Sequence, residues 1–190
     1  MELFAAKGLE ATTVAEIRAV ADVAHKTFFN YFPTKQHLLT AIAEQSLDTL
    51  LSDMAEVRAG EGSVSERIRA LFDHIGRRSA DAGPMHRELL VEIIHVGHVS
   101  GSESEQARRL YSAFRAFIDE GVESGELVAP QGIDTSTEIV VGAFYAIMFN
   151  WAHLDDYPLL EHARAAACFV TDAMAAPAKK SARTGKRAKE

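Results

Sequence analysis

Apolar residues recur at every third and fourth position along almost the whole chain, and no segment keeps the strict alternation of a half-buried strand. The pattern predicts an all-α protein with helices near residues 2–8, 13–20, 25–31, 35–58, 64–81, 84–98, 103–124, 135–153 and 158–175. Helix starts are marked by Ser/Thr-x-x-Glu pairs, in which the hydroxyl caps a main-chain amide and the carboxylate reaches back to the cap residue. Such pairs stand at Thr13/Glu16, Ser63/Glu66, Ser102/Glu105 and Thr135/Glu138. Pro84 and Pro158 suit first-turn positions, and Thr34 can cap the helix that follows it.

The first three helices are short and the rest are long. This predicts a small N-terminal helix-turn-helix domain over 1–37, a larger helical domain over 38–176 and a tail over 177–190. The tail is basic, built of small residues and lacks apolar periodicity, so it is expected to be disordered.

Composition then narrows the picture. With 47% hydrophobic residues the chain can bury a substantial core, and its single Cys168 cannot form an internal disulfide. A cytoplasmic location is expected, with no membrane partner, because the apolar runs are too short to span a bilayer and no signal segment is visible. The net charge of −7 is unevenly spread: Lys179 to Glu190 carry +5, leaving −12 on the remainder. Residues 1–37 are neutral within that acidic whole, with four Lys/Arg against four Asp/Glu, so an anion meets the least repulsion there.

That neutral segment contains "HKTFFNYFPTK", four rings among Lys, Thr and Asn. Val14, Ile17 and Ala21 share a face of one short helix, Val23 fills the turn, and Phe28 and Phe32 share a face of the next. At 100° per residue, Lys26 and Asn30 point away from Phe28, Thr27 and Phe29 flank them, and Tyr31 falls near the core edge. The rings would seat the helix so that His25, Lys26, Thr27 and Asn30 can enter a major groove. Lys26 suits guanine acceptors, Asn30 suits adenine, and Thr27 suits several base edges. Thr13, Phe29, Tyr31 and Lys35 complete the candidate DNA-binding set, with Lys35 and a tyrosine hydroxyl on phosphates. Periodicity alone leaves open a plain three-helix packing unit.

The run "LFAAKGLEATTVAEIRAVADVAHKTFFNYFPTKQHLL" resembles the DNA-binding segment of the tetracycline-repressor (TetR) family of bacterial regulators. Phe4, Gly8, Thr12, Thr13, Val14, Ile17, Ala21, Val23, Thr27, Phe32 and Lys35 stand at that pattern's intervals. The resemblance implies a regulator of transcription, a repressor released from a near-palindromic double-stranded operator by a small, mainly apolar molecule. It also implies a homodimer through the last two helices, no cofactor and no enzymatic activity. Four departures stand out. Asp22 replaces a turn Gly, Ala24 replaces a Ser cap, and Phe29 replaces a Tyr that would contact phosphate, leaving Tyr31 as the nearest hydroxyl. Met1 falls inside the family's first helix, so the expectation is either that the true start lies upstream or that DNA affinity is weak.

In the larger domain, "IVVGAFYAIMFNWAHL" is apolar nearly all round, so its helix should be buried both in its own domain and against a second subunit. The last helix offers Leu160, Ala163, Ala167, Val170 and Met174, with the small residues of "ARAAAC" admitting a close partner helix. Candidate ligand-binding residues are Leu89, Glu92, Ile93, His95, Phe114, Phe117, Tyr145, Met148 and Trp151, with Phe72, Ile75 and Phe144 beside them; the same list describes a plain core.

Glu88, Glu92 and His95 share one face of a helix, and Glu-x-x-His is a metal-site spacing in helical bundles. A second such pair is absent from the sequence, so no metal is assigned, and ion pairs to Arg77, Arg78 or Arg87 are the expected role. A small helical metal-binding protein or enzyme on the Glu92/His95 helix is the alternative function, and a dimeric sensor without DNA binding is a third.

Overall fold

The computed structural model describes residues 11–21, 24–81, 87 and 103–177. These form seven helices: α1 (Val14–Ala21), α2 (His25–Tyr31), α3 (Lys35–Ala59), α4 (Val64–Asp81), α5 (Glu103–Ser124), α6 (Ile133–His153) and α7 (Leu159–Met174). The helix predicted over 2–8, that over 84–98 apart from Arg87, and the basic tail beyond Pro177 lie outside the described residues, as does the turn residue Asp22.

Two of the four predicted capping boxes form as read. Glu16 Oε2 accepts from the Thr13 amide at 2.9 Å and from its hydroxyl at 3.0 Å, while Thr13 Oγ1 accepts from the Glu16 amide at 3.3 Å. Ser63 and Glu66 repeat this at the start of α4, where the Ser63 amide and then its hydroxyl hold the Glu66 carboxyl below the usual carboxylate range. The third box lies partly outside the described residues.

The fourth does not form. Helix α6 begins two residues earlier than the sequence suggests, with Gly132 at its N-cap in a left-handed conformation (φ 93°). Such a φ is open to glycine without steric cost and lets the chain turn directly into Ile133. Pro158 likewise stands at the cap of α7 rather than in its first turn.

Helix α3 is the long connector, 25 residues without Gly or Pro, or about 37 Å at 1.5 Å per residue. Thr34 Oγ1 caps it by accepting from the His37 amide at 3.3 Å, and the turn after Gly60 requires a positive φ of 99° at Gly62. Charged side chains fasten α3 to the helices beside it. Asp48 meets Arg109 of α5 at 2.5 Å, and Asp53 accepts from Arg78 and, at 3.2 Å, pairs with His74, both on α4.

The core lies where α4, α5, α6 and α7 converge. Phe72, Phe114 and Phe144 form a row from three helices, with centroids 6.1 and 5.5 Å apart, over Leu71, Ile118, Val140 and Ala167. Helices α4 and α7 pack most extensively, because Gly76 and Ala163 allow close approach: a Cβ on Gly76 would sit 3.4 Å from that of Ala163. The small residues Ala163 and Ala167 are therefore spent on the chain's own core, not on a partner as the sequence suggested.

Beyond α5 the chain closes on itself. The Leu127 amide donates to Gly121 O at 2.9 Å, the Val128 amide to Met174 O at 2.8 Å and the Ala176 amide to Glu126 O at 3.0 Å. The isolated antiparallel bridge Leu127–Ala175 joins the α5–α6 loop to the end of α7. No helix among the described residues is long and apolar enough to cross a membrane.

Candidate nucleic-acid interface

Helix α2 is seven residues long and has no side-chain cap, because Ala24 precedes it in the cap position. A Ser or Asp there would contribute on the order of 1 kcal/mol, so the helix depends on packing. Phe28 supplies it. That side chain is buried, and its ring lies 5.5 Å from Phe32 and 5.9 Å from Phe29.

Burying Phe28 turns the opposite surface outward. Lys26, Thr27 and Asn30 are exposed, with Lys26 and Asn30 one turn apart on one side. Phe29 is half-buried at the flank. Tyr31 corrects the expectation of a core-edge position: it is 74% exposed, so its hydroxyl is available to an outside acceptor or donor. Thr13 is exposed with its hydroxyl engaged in the capping box, and Lys35 is half-buried at the start of α3. The side chain of His25 is outside the described residues.

The surface therefore combines a cation, an amide and two hydroxyls on a short helix that a ring anchors from behind. These are groups that hydrogen-bond base edges and phosphates. Among the described residues no group of three His, Cys, Asp or Glu side chains could hold a metal ion.

The candidate effector residues separate. Leu89, Glu92, Ile93 and His95 lie outside the described residues, as does Glu88. Phe114, Phe117 and Trp151 are buried and Met148 is partly buried against the same core. Tyr145 stands apart, 47% exposed on the outer side of α6, one residue beyond the buried Phe144 that its ring touches at 5.8 Å. The acidic partners expected for Arg77, Arg78 and Arg87 lie outside the described residues; among the described residues Arg77 bonds Asp73 at 2.7 Å, Arg78 bonds Asp53, and Arg87 donates to the carbonyls of Ala152 and Asp155 at 3.2 and 3.3 Å.

A second surface emerges that the sequence only half disclosed. Ile139 and Phe149 on α6 are 55% and 53% exposed and Phe169 on α7 is 72% exposed, with Gly142, Ala146, Ala165 and Cys168 exposed beside them. These positions recur at helical spacing on the side of each helix away from the core. Sequence periodicity revealed the buried side of α7 but not that Phe169 faces out.

Residues 1–42 match the family model described as "Bacterial regulatory proteins, tetR family". No curated protein matches the chain. Among solved structures, a TetR transcription regulator from Haloarcula marismortui ATCC 43049 superposes with a TM-score of 0.76 at 19% identity, over 92% of this chain and 93% of that one. Thermus thermophilus FadR, a TetR-family transcriptional repressor in complex with lauroyl-CoA, gives 0.70 at 21% identity over 95% and 94%. RolR in complex with resorcinol gives 0.65 at 21% over 93% and 84%. At these identities the likenesses establish the fold.

Proposed function

We propose, from the premise that residues 1–42 are a tetR-family DNA-binding segment carried on that family's fold, that the protein is a ligand-responsive, DNA-binding regulator of transcription. The observation that carries this reading is α2 itself, where Lys26, Thr27 and Asn30 are exposed opposite the buried Phe28. The alternative of an enzyme or metal protein on the Glu92/His95 helix gains no support from the described residues.

In this reading residues 1–37 form the DNA-binding domain and 38–176 the ligand-binding and dimerisation domain. The protein acts in the cytoplasm as a repressor, and as a binding protein rather than an enzyme. The exposed apolar positions Ile139, Phe149 and Phe169 suit a second copy of the chain, since burying large apolar side chains drives stable association. A twofold dimer would present two α2 helices to half-sites about one helical turn of DNA apart. The effector is a small, mainly apolar molecule contacting Phe114, Phe117, Met148 and Trp151 together with the 84–98 segment. Its chemical identity is not carried over from lauroyl-CoA or resorcinol, which differ too much from one another.

Coupling would run through α3. Its N-terminus adjoins α2, and Asp48, Asp53 and Arg58 tie it to α4 and α5. A ligand that changes how those helices pack changes the direction of α3, and a long helix converts a small tilt into a displacement of its end.

Selection from randomised duplexes by the purified protein at two salt concentrations tests the reading. Recovery of a near-palindrome at both concentrations is the expected result. Recovery of unrelated, salt-sensitive fragments alone would overturn it.

A further inference from the structure

Among the described residues, Arg18 on α1 is the arginine that no acceptor holds. From Arg58 to Arg164, each of the other described guanidiniums meets a carboxylate, and several also meet a main-chain carbonyl. Arg18 makes no hydrogen bond or ion pair with any described residue, and its Nε is buried without an acceptor. Arg67 and Arg87 also bury one unpaired nitrogen each, but the rest of each group is held. Glu120 and the Arg58 carbonyl hold Arg67, and the carbonyls of Ala152 and Asp155 hold Arg87.

Helix geometry explains the half-buried position. At about 100° per residue, Arg18 falls roughly 40° from Val14 and 60° from Ala15 around α1. Val14 and Ile17 are half-buried on one side of it, and Ala15 and Ala19 are exposed on the other. Arg18 thus stands where packing gives way to solvent, and a long side chain at such an edge buries its stem and presents its terminal nitrogens outward. Glu16 does not neutralise it. That carboxylate lies about 160° round the helix and accepts from the Thr13 amide and hydroxyl at 2.9 and 3.0 Å. Asp22, at the i, i+4 spacing of a helical ion pair, lies outside the described residues.

Holding a guanidinium partly out of water with no counter-charge is unfavourable for the free protein. We infer, resting on the proposed function in which α1 and α2 dock on a duplex, that Arg18 is a further contact of this segment and that its partner is a phosphate of the DNA backbone. A phosphate brings the opposite charge together with several acceptor oxygens, and the planar fork of a guanidinium matches it better than a lysine does. The contact carries no sequence information. It fixes where α1 sits on the backbone, and hence the register in which α2 presents Lys26, Thr27 and Asn30 to the groove. The group that costs stability in the free chain contributes affinity in the complex, and those opposite signs separate this role from a structural one.

The experiment compares the full chain with Arg18→Met, which keeps the apolar stem, and with Arg18→Lys, which keeps the charge. Anisotropy follows the binding of two labelled duplexes of unrelated sequence, each of about 30 base pairs, from about 50 to 200 mM salt. Urea unfolding gives the stability of each chain. Arg18→Met should bind both duplexes about tenfold more weakly at the lowest salt, with a salt slope shallower by about 1 for each α2 engaged. Its urea midpoint should equal or exceed that of the parent, because a buried donor without an acceptor has been removed. Arg18→Lys should keep the parental slope and bind with an affinity between the other two.

Equal affinity and slope in Arg18→Met would overturn the inference. Weaker binding accompanied by a lowered urea midpoint would overturn it too, by showing that Arg18 holds the fold together, with Asp22 as the first partner to examine. A loss that differs between the two duplexes would assign Arg18 to base recognition instead of a phosphate, and a slope in Arg18→Lys as shallow as in Arg18→Met would show that its charge is not what acts. A parent chain without salt-dependent binding to either duplex would bring down the proposed function and this contact together. A parent that binds beside an unaltered Arg18→Met counts against Arg18 alone.

Discussion

Arg67 and Glu120 meet at 2.5 Å across the top of the core, Nη2 to Oε1, while Nη1 of the same guanidinium donates to the main-chain carbonyl of Arg58 at the end of α3. One buried cation thereby closes the α3–α4 turn and ties it to α5. Replacing it with Met keeps the apolar stem but leaves the Arg58 carbonyl without this donor. Glu120 is 38% exposed and can return to water, so the cost stays below that of a fully buried broken pair. Arg67→Met should lower stability by about 2 kcal/mol, read as a lower urea midpoint with unchanged slope. An unchanged midpoint would mean the pair contributes nothing net.

Gly121 faces Leu127 with no room for a methyl. A Cβ there would lie 2.4 and 2.6 Å from Leu127 Cδ1 and Cγ, and Leu127 is only 2% exposed. Alanine would gain about 1 kcal/mol of helix propensity but displace a packed leucine and the bridge to Ala175 that follows it. We expect Gly121→Ala to destabilise by about 2 kcal/mol net in thermal or urea unfolding. A stabilised variant would show that this loop repacks freely.

The helices were legible because their signals are local. Thr13, Ser63 and Thr34 cap the helices that their sequence positions indicate, and Phe28 is buried, as the helix face it shares with Phe32 implies. What failed depended on tertiary context. The Thr135/Glu138 pair carries a sound capping signal, yet Gly132 at positive φ lets α6 start earlier and places Thr137 inside, donating to Ile133 O at 2.8 Å. Tyr145 and Phe144 are adjacent aromatics that hydropathy cannot tell apart, and only the packing of α5 decides which is buried. Arg67 reads as an ordinary solvated residue until α3, α4 and α5 meet around it.

On α2, Lys26→Ala and Asn30→Ala should each cost about 1–3 kcal/mol at the preferred site while flattening the preference among sites. Lys35→Ala should weaken all sites alike and reduce the salt slope by about 1, as expected of a phosphate contact. Competition binding on a panel of single-base operator variants separates the two behaviours. A change of preferred site in Lys35→Ala would reassign that residue to base recognition.

Phe169 tests the proposed dimer without touching the core. It is 72% exposed, so Phe169→Glu should leave the helical signal and the monomer fold intact. Placed in an apolar twofold interface, two unpaired carboxylates would face desolvation and each other. Sedimentation should then show dissociation at concentrations where the parent chain is dimeric, with the affinity for a near-palindromic duplex falling alongside. A parent and variant of equal mass in solution would move the interface elsewhere.

Asp73 gives a prediction with a definite sign in pH. The Arg77 hydrogen bond foremost, and then Arg164 of α7 at 2.5 Å, hold its carboxyl below the ordinary aspartate value of about 3.9, against the opposing pull of burial. A carboxyl depressed in the folded state binds fewer protons there than in the unfolded chain. Its contribution is therefore complete above the unfolded value and is lost as pH falls through the folded one. Asp73→Asn removes that contribution near neutral pH and has none to lose on acidification. The stability gap between parent and variant should be widest above about pH 5 and close progressively below about pH 4. Because Asp73 is partly exposed, the gap should be small and should shrink with salt. Urea midpoints from pH 7 to pH 3 measure it, and a gap that widens toward low pH would reverse the assigned direction of the shift.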